Sequence, residues 1–171
     1  MKPSARDPEI ISQLPIPTAA GIFCAAYSAK GLARLHFPTG RAAAQAATGK
    51  TIAKILNWHA ETESALNSIL AGRAPKSFPP FDLAGGTAFQ QSVWRELLKI
   101  AIGETKSYGD IARLIRQPKA VRAVGGACGA NPIPVLIPCH RVLAANGRLG
   151  GFSGGLDWKR KLLAREDTAF K

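Results

Sequence analysis

A proline-rich segment near the middle of the chain limits how the protein can fold. It reads Ala74-Pro75-Lys76-Ser77-Phe78-Pro79-Pro80-Phe81-Asp82. Proline has no backbone N–H, and it disfavours helical geometry in the residue before it, so this stretch cannot continue a helix. Its composition predicts an extended linker. We therefore predict two domains, an N-terminal one over residues 1–80 that includes the linker, and a C-terminal one over residues 81–171.

The N-terminal half has the pattern of a small α/β domain. Residues 21–27 and 32–37 are rich in apolar residues, and the turn-like segment between them predicts an antiparallel hairpin. Residues 50–70 carry apolar side chains at helical spacing, which predicts one amphipathic helix.

The C-terminal half is predicted to be mainly helical. Thr87 and Gln90 have the spacing of a capping box at the start of a helix, and Ser107 and Asp110 repeat that spacing before a second, short helix. Pro118 suits the first position of the next helix, which we expect to run through residues 119–124. Two short helices joined by about three residues indicate a helix-turn-helix. The predicted fold class is therefore α/β (α+β), with a winged-helix-like DNA-binding motif in the second domain.

The charge of the chain favours a polyanionic partner. Its 171 residues include 23 Lys and Arg against 11 Asp and Glu, a formal net charge of +12. Nucleic acid is the first candidate and an anionic membrane surface the second. No stretch approaches the roughly 18 apolar residues of a membrane span, and the N-terminus lacks an apolar signal core. We expect an intracellular, non-secreted protein with no membrane partner, cytoplasmic and nucleoid-associated if the source is prokaryotic.

The three cysteines, Cys24, Cys128 and Cys139, show no CxxC spacing. This pattern predicts free thiols in a reducing compartment, and no disulfide framework. No group of His and Cys has metal-ligand spacing, so we predict neither a metal site nor a cofactor.

Residues 121–130 form a predicted helix made largely of small side chains, including Gly125, Gly126, Ala127 and Gly129. Glycine in a helix costs up to about 1 kcal/mol relative to alanine, so something must offset that cost. Close approach of a nucleic-acid groove is one explanation, and tight packing against another helix is the other. Arg122 is expected to project from this helix.

The stretch Pro138-Cys139-His140-Arg141-Val142 places a thiol beside an imidazole. A thiolate is the reactive form of cysteine, and a neighbouring histidine can take the proton directly or through a water. Free cysteines are also common as buried packing residues, so the dipeptide by itself leaves both interpretations open.

Taken together, these motifs resemble the O6-alkylguanine-DNA alkyltransferases. The resemblance runs from Thr87 to Glu166, about half of the chain. It is carried by Phe89-Gln90, Val93-Trp94, Gly103-Glu104-Thr105, Ser107-Tyr108-Gly109, Arg122-Ala123-Val124-Gly125, Asn131-Pro132-Ile133-Pro134, Ile137-Pro138-Cys139-His140-Arg141-Val142, Gly154-Gly155 and Lys161-Leu162-Leu163-Ala164-Arg165-Glu166.

The resemblance implies catalytic roles for five residues. Cys139 corresponds to the alkyl acceptor, and His140 and Glu166 to its activating partners, with a water between His140 and the sulfur. Asn131 corresponds to a hinge between the DNA-binding helix and the active-site loop. Tyr108 corresponds to the residue that presses on the phosphodiester 3′ of the target and helps protonate the departing base.

It also implies binding roles. Arg122 corresponds to the residue that fills the space left by a flipped nucleotide, and Val121, Gly125 and Ala127 lie on the same DNA-binding helix. The backbones of Val142 and Ser153 are expected at the guanine edge.

Four positions depart from the family pattern. Phe152 stands where a pocket tyrosine is usual, and Cys128 where methionine or asparagine is common. Arg116 stands where the inter-helix turn usually has glycine, and Ala101 replaces a frequent proline. These departures put the width of the substrate pocket in doubt.

The function implied is direct-reversal DNA repair. The chain would act as a monomer that binds the minor groove of double-stranded DNA, flips an O6-alkylguanine and moves the alkyl group irreversibly to Cys139; O4-alkylthymine is a second candidate substrate. Two alternatives remain. A lesion sensor would bind alkylated DNA without transfer, and a Cys-His-Glu hydrolase would turn over acyl substrates but would not explain the charge.

Overall fold

The N-terminal half is built on a three-stranded antiparallel sheet. The structure is a computed structural model that describes residues 7–38 and 52–171. The strands β1 (Ser12–Thr18), β2 (Gly21–Ser28) and β3 (Gly31–His36) lie in the order β1-β2-β3. The predicted hairpin is confirmed as β2–β3, with Ser28 paired to Gly31.

Strand β1 was not predicted from the sequence. It contains Pro15 and Pro17, which normally argue against a strand. The structure explains why they are tolerated, because β1 is an edge strand that pairs only with β2 in the described sheet.

One long helix, α1 (Ile52–Leu70), covers the sheet. The apolar spacing of residues 50–70 predicted it, and residues 50 and 51 lie outside the described residues. Ile55, Leu66 and Ile69 are buried in one core cluster with Phe23 and Tyr27 of β2.

The proline-rich segment is bound to the sheet. The Leu32 N–H donates to the Pro80 carbonyl at 2.8 Å, and the Asp82 N–H donates to the Leu32 carbonyl at 2.8 Å. Further along β3, the Leu35 N–H donates to the carbonyl of Pro132 in the second half, at 2.9 Å. Residues of both halves also pack in one hydrophobic core. The domain boundary between residues 80 and 81 therefore stays a prediction, and the packing is continuous across it.

The C-terminal half is mainly helical. Its elements are α2 (Ala88–Leu97), β4 (Lys106–Ser107), α3 (Tyr108–Leu114), α4 (Val121–Gly129), a 3-10 turn (Cys139–Arg141), β5 (Val142–Leu143) and α5 (Leu156–Arg165). Both predicted capping boxes are confirmed, at Thr87 with Gln90 and at Ser107 with Asp110. The short strands β4 and β5 pair in parallel, which fixes the start of α3 beside the segment that follows Cys139.

The start of α4 differs from the prediction. The helix begins at Val121, not at Pro118. Pro118 instead lies in a turn closed by a hydrogen bond from the Ala120 N–H to the Gln117 carbonyl at 2.9 Å. Arg116, just before it, has a positive φ of 60°. This turn lengthens the connection between the two helices beyond the expected three residues.

Among the described residues, no helix combines the length and the apolar composition that crossing a membrane requires.

Candidate active site

Cys139 lies at the start of the 3-10 turn and is only 3% exposed. The loop before it is rigid. The Cys139 N–H donates to the Ile137 carbonyl at 2.8 Å, and the Ile137 N–H donates to the Ile133 carbonyl at 2.9 Å. Prolines 132, 134 and 138 restrict the backbone further. The sequence therefore places one thiol at a fixed point inside the protein.

Asn131 connects this loop to α4. Its Nδ2 donates to the Cys139 Sγ at 3.1 Å and to the Ile137 carbonyl at 2.8 Å, while its Oδ1 accepts from the Ile133 N–H at 3.0 Å. Its backbone N–H donates to the carbonyl of Cys128, in the last turn of α4, at 3.3 Å. Asn131 therefore links the end of α4 to the sulfur, and its role as a hinge stays a prediction.

His140 and Glu166 form a fully buried pair. The His140 Nε2 lies 3.0 Å from the Glu166 Oε1, and neither side chain is accessible to solvent. Burial alone would raise the pKa of Glu166, but hydrogen bonds from His140 and Arg141 lower it to about 2. Glu166 is therefore a carboxylate at neutral pH.

The ionised carboxylate decides which imidazole nitrogen carries the proton. A carboxylate only accepts hydrogen bonds, so Nε2 must be the protonated nitrogen. Burial lowers the pKa of His140 in spite of the opposing effect of Glu166, which leaves the ring neutral. Its Nδ1 then carries a lone pair, and this buried atom has no hydrogen-bond partner among the described residues. Nδ1 is the atom able to accept a proton.

The thiol needs such an acceptor. Burial raises the pKa of Cys139 to about 11, although the Asn131 hydrogen bond and the charge of Lys159 lower it in part. At neutral pH the sulfur therefore holds its proton, and a thiolate forms only if the proton is taken away.

Tyr108 is suited to donate a proton. It is the first residue of α3 and is half-buried. Burial and the two thiols Cys128 and Cys139 raise its pKa to about 12, so the phenol stays protonated. Its hydroxyl packs closely against Gly150, where an added Cβ would lie 2.8 Å from the oxygen and where φ is 63°. Only glycine fits this position easily.

The four predicted pocket residues differ in how far they are buried. Cys128 and Val142 are buried, Phe152 is half-buried and Ser153 is exposed. The Phe152 ring meets His140 edge-on with centroids 6.4 Å apart, and on its other side it meets Phe37 at 5.7 Å. Phe152 thus connects the histidine to the N-terminal half.

The outer face of α4, formed by Val121, Arg122, Gly125, Gly126 and Gly129, is open. Val121 and Arg122 are exposed and Gly125 is half-buried. A Cβ added at any of the three glycines would meet nothing within 4 Å in the described part of the chain. Tight internal packing therefore does not explain these glycines.

Ala127, predicted on the same DNA-binding surface, is turned inward. Its side chain is 2% exposed, and its carbonyl accepts a hydrogen bond from the Trp94 Nε1 at 2.8 Å. The structure thus separates Ala127 from the outer face of α4.

Two site residues were missed by sequence reasoning. Arg141 donates from Nε and Nη2 to the two Glu166 oxygens at 2.9 Å each, and from Nη1 to the Ile100 carbonyl at 2.6 Å. Lys159 is fully buried and donates from Nζ to the Val142 carbonyl at 2.7 Å. Helical spacing could have found Lys159, because it lies three and four residues before the buried Leu162 and Leu163.

Comparison with known proteins identifies one family. A family model described as the DNA binding domain of 6-O-methylguanine DNA methyltransferase matches residues 88–168. A methylated-DNA–protein-cysteine methyltransferase of Methanosarcina mazei is 46% identical over 111 residues, 65% of this chain and 70% of that protein. The chain belongs to the methylated-DNA–protein-cysteine methyltransferase family. A member from Mycobacterium tuberculosis is 52% identical over 103 residues, 60% of this chain and 62% of that protein.

Solved structures of the family extend the similarity to both halves. The M. tuberculosis OGT, determined in complex with DNA, matches with a TM-score of 0.72 and 38% identity over 89% of this chain and 90% of that one. The M. tuberculosis O6-methylguanine methyltransferase matches with a TM-score of 0.69 and 38% identity over 90% of this chain and 91% of that one. The three-stranded sheet and the helical half thus form the α/β fold of this methyltransferase family.

Proposed function

We propose that this methyltransferase-family chain repairs DNA by direct reversal, moving the alkyl group of an O6-alkylguanine to the Cys139 sulfur. One observation carries the proposal. The buried sulfur accepts a hydrogen bond from Asn131, and the residue beside it is a neutral histidine that Glu166 orients with Nδ1 free to accept a proton.

The first step is removal of the thiol proton. We assign the His140 Nδ1 as its acceptor, through one bridging water, because Nε2 is committed to Glu166. The Glu166 carboxylate stabilises the imidazolium that forms, as in other nucleophile–histidine–carboxylate sites. The Asn131 amide stabilises the negative charge left on the sulfur.

The second step is substitution at a saturated carbon. A bond forms between Sγ and the alkyl carbon, the bond from that carbon to O6 breaks, and the electron pair goes to the guanine. Tyr108 donates its proton to the departing base, which makes guanine a neutral leaving group. The phenol is reprotonated from solvent and the imidazolium returns its proton there. The balance is one thiol plus one alkylguanine, giving one thioether plus one guanine.

The product explains why we expect a single turnover. Water does not readily cleave a thioether, so the sulfur stays alkylated. Each molecule is thus consumed by one reaction.

The buried position of Cys139 requires the base to come to the protein. A nucleotide inside a duplex cannot reach a sulfur that is 3% exposed, so the target must be flipped at a cost of a few kcal/mol. We propose that the open outer face of α4 lies in the minor groove, where the absence of side chains allows close approach. Arg122 then occupies the space that the flipped nucleotide leaves. The net charge of +12 supports binding to phosphates of any sequence.

Two wider features belong to the same proposal. The described cysteines are all free, which is consistent with a reducing intracellular setting, and we place the protein in the cytoplasm at the nucleoid if its source is prokaryotic. We also retain residues 81–171 as the DNA-binding and transfer domain, supported by the family match over residues 88–168.

Intact mass spectrometry tests the proposal. After mixing with duplex DNA that contains O6-methylguanine, we expect one added methyl group on the peptide bearing Cys139, with a 1:1 end point. Cys139→Ala should remain unmodified, while Cys24→Ala, which removes a thiol on β2, should react normally. Unchanged mass with DNA still bound would identify a lesion sensor, and release of product beyond one equivalent would identify a turnover enzyme.

A further inference from the structure

The charged groups buried around Cys139 do not balance while its thiol is protonated. Among the described residues, the site contains one carboxylate, Glu166, and two permanently or normally cationic side chains, Arg141 and Lys159. Arg141 binds both oxygens of Glu166, so these two charges form a closed pair. One positive charge, that of Lys159, is left over.

Lys159 is held by neutral groups alone. Its Nζ donates to the Val142 carbonyl at 2.7 Å and more weakly to the Gly151 carbonyl at 3.4 Å. In residues 7–38 and 52–171, no carboxylate forms an ion pair with it. A fully buried ammonium without an opposite charge is unfavourable, which makes its position at this site informative.

The groups that face Lys159 identify its missing partner. Cys139 comes from the 3-10 turn and Cys128 from α4, and the charge of either thiolate would raise the pKa of Lys159. His140 also faces it, and the charge of Lys159 disfavours the imidazolium form of that ring. The Arg141–Glu166 pair lies behind His140 and is neutral overall.

We propose that Lys159 is the positioning residue for the Cys139 thiolate, with its buried ammonium supplying the counter-charge when the thiol proton leaves. This inference rests on the proposed alkyl transfer and adds a second source of activation beside His140. With His140 neutral and Lys159 protonated, the buried charges sum to zero when the sulfur is a thiolate, because Arg141 balances Glu166 and Lys159 balances the sulfur.

The arrangement gives alkylation an electrostatic consequence. Conversion of the thiolate to a thioether removes the negative charge and leaves the buried ammonium without a partner. The alkylated protein is therefore expected either to lose the Lys159 proton or to become less stable around α5. The loss of stability should exceed what the added volume of a methyl group alone would cause.

The pH dependence of the reaction separates this role from a structural one. Burial lowers the pKa of Lys159 to about 8, and the thiolates oppose that shift. As pH rises, the rate should increase as the first proton leaves the coupled Cys139–Lys159 pair, then fall as the second proton leaves and the ammonium charge is lost. A residue needed only for packing would change the rate by one factor at all pH values.

Free O6-benzylguanine is the probe, because it avoids any effect on DNA binding. Lys159→Met should react about tenfold more slowly at pH 7, should recover at high pH, and should lack the descending limb. Lys159→Arg, which cannot lose its charge in this range, should keep activity and move that limb upward. Lys161→Met, an exposed lysine on the same helix, should behave like the unmodified sequence. An equal loss at every pH in Lys159→Met would overturn the proposal.

Iodoacetamide provides a second readout that does not depend on repair. The rate at which it modifies Cys139, followed by peptide mass spectrometry, reports the thiolate alone. A lower rate in Lys159→Met at pH 7 supports the electrostatic role even if no alkylguanine reacts, whereas identical profiles refute it. Should Lys159→Met not fold, the comparison of the original chain with Lys159→Arg decides, since an unmoved descending limb contradicts the proposal.

Discussion

The outer face of α4 and the interior around Cys139 are opposite in character although Asn131 connects them. On α4, three glycines have nothing within 4 Å of an added Cβ, and the arginine beside them is exposed. Around Cys139, almost every buried polar side-chain atom has a hydrogen-bond partner. Glu166, for example, accepts hydrogen bonds from His140 and from two nitrogens of Arg141. An empty surface suits an external duplex, whereas a saturated interior suits preorganised chemistry.

This difference means that substitutions in the two regions should fail in different ways. Changes in the interior should damage folding and chemistry on any substrate. Changes on α4 should damage only the reaction on duplex DNA, because free base needs no groove contact.

The largest effect is expected for Glu166→Gln. The glutamine removes the negative charge that pairs with buried Arg141. A buried charge left without its partner lowers the free energy of unfolding by about 3–5 kcal/mol. The glutamine also no longer fixes the His140 tautomer. Denaturant unfolding should show the loss of stability, and the rate with free O6-benzylguanine should fall at least about a hundredfold.

Glu63→Gln, an exposed residue of α1, is the matched control and should change neither quantity. If Glu166→Gln kept full stability, the account of the interior as a closed charge network would be wrong.

Arg122→Ala should come next and affect only duplex DNA. The side chain is exposed in the free protein, so the free energy of unfolding should change by less than about 0.5 kcal/mol. Repair of O6-methylguanine in a duplex should slow by about a hundredfold, since the flipped state loses the group that fills the vacated space. Reaction with free O6-benzylguanine should be unchanged.

The measurement is the ratio of the two rates, with Arg73→Ala as a control for loss of one exposed charge. Equal slowing on both substrates would show that Arg122 supports the fold of the site instead of the DNA.

Gly126→Leu tests the open face of α4 directly. Nothing in the described chain contacts a Cβ there, and leucine is a better helix former than glycine by about 0.5–1 kcal/mol. Stability should therefore rise slightly while duplex affinity falls, because the side chain enters the groove. Gly126→Ala separates the two effects, since it gains helix propensity with little added volume. A Gly126→Leu protein that bound DNA normally would show that α4 does not approach the duplex by this face.

The contrast also explains what could be learned from the sequence. The capping boxes at Thr87 and Ser107 are local signals, and the structure confirms both. The strand β1 was missed because its prolines are tolerable only at a sheet edge, and the position of an edge depends on long-range pairing. The helical spacing of Lys159 relative to Leu162 and Leu163 indicates a position on the buried face of α5, but the sequence does not show that its ammonium binds the carbonyl of the distant Val142. Cys139, His140 and Glu166 could be proposed because a whole ordered set of motifs is similar to one family.

The smallest predicted effect concerns Arg116, where the inter-helix turn and the DNA surface meet. Its φ of 60° costs an L-residue about 1–2 kcal/mol, whereas glycine adopts it freely but adds about 0.5–1 kcal/mol of entropy to the unfolded chain. Arg116→Gly should therefore stabilise the protein by about 1 kcal/mol at most. The same change removes an exposed cation beside α4, so duplex affinity should weaken and the slope of log affinity against log salt should decrease by about one.

Arg116→Lys keeps both the charge and the strained backbone, so neither stability nor the salt slope should change. If Arg116→Gly stabilised the protein but left the salt slope unaltered, the surface that contacts DNA would include α4 but not the turn before it. If Arg116→Gly lowered stability, the contacts of the arginine side chain would contribute more free energy than its backbone conformation costs.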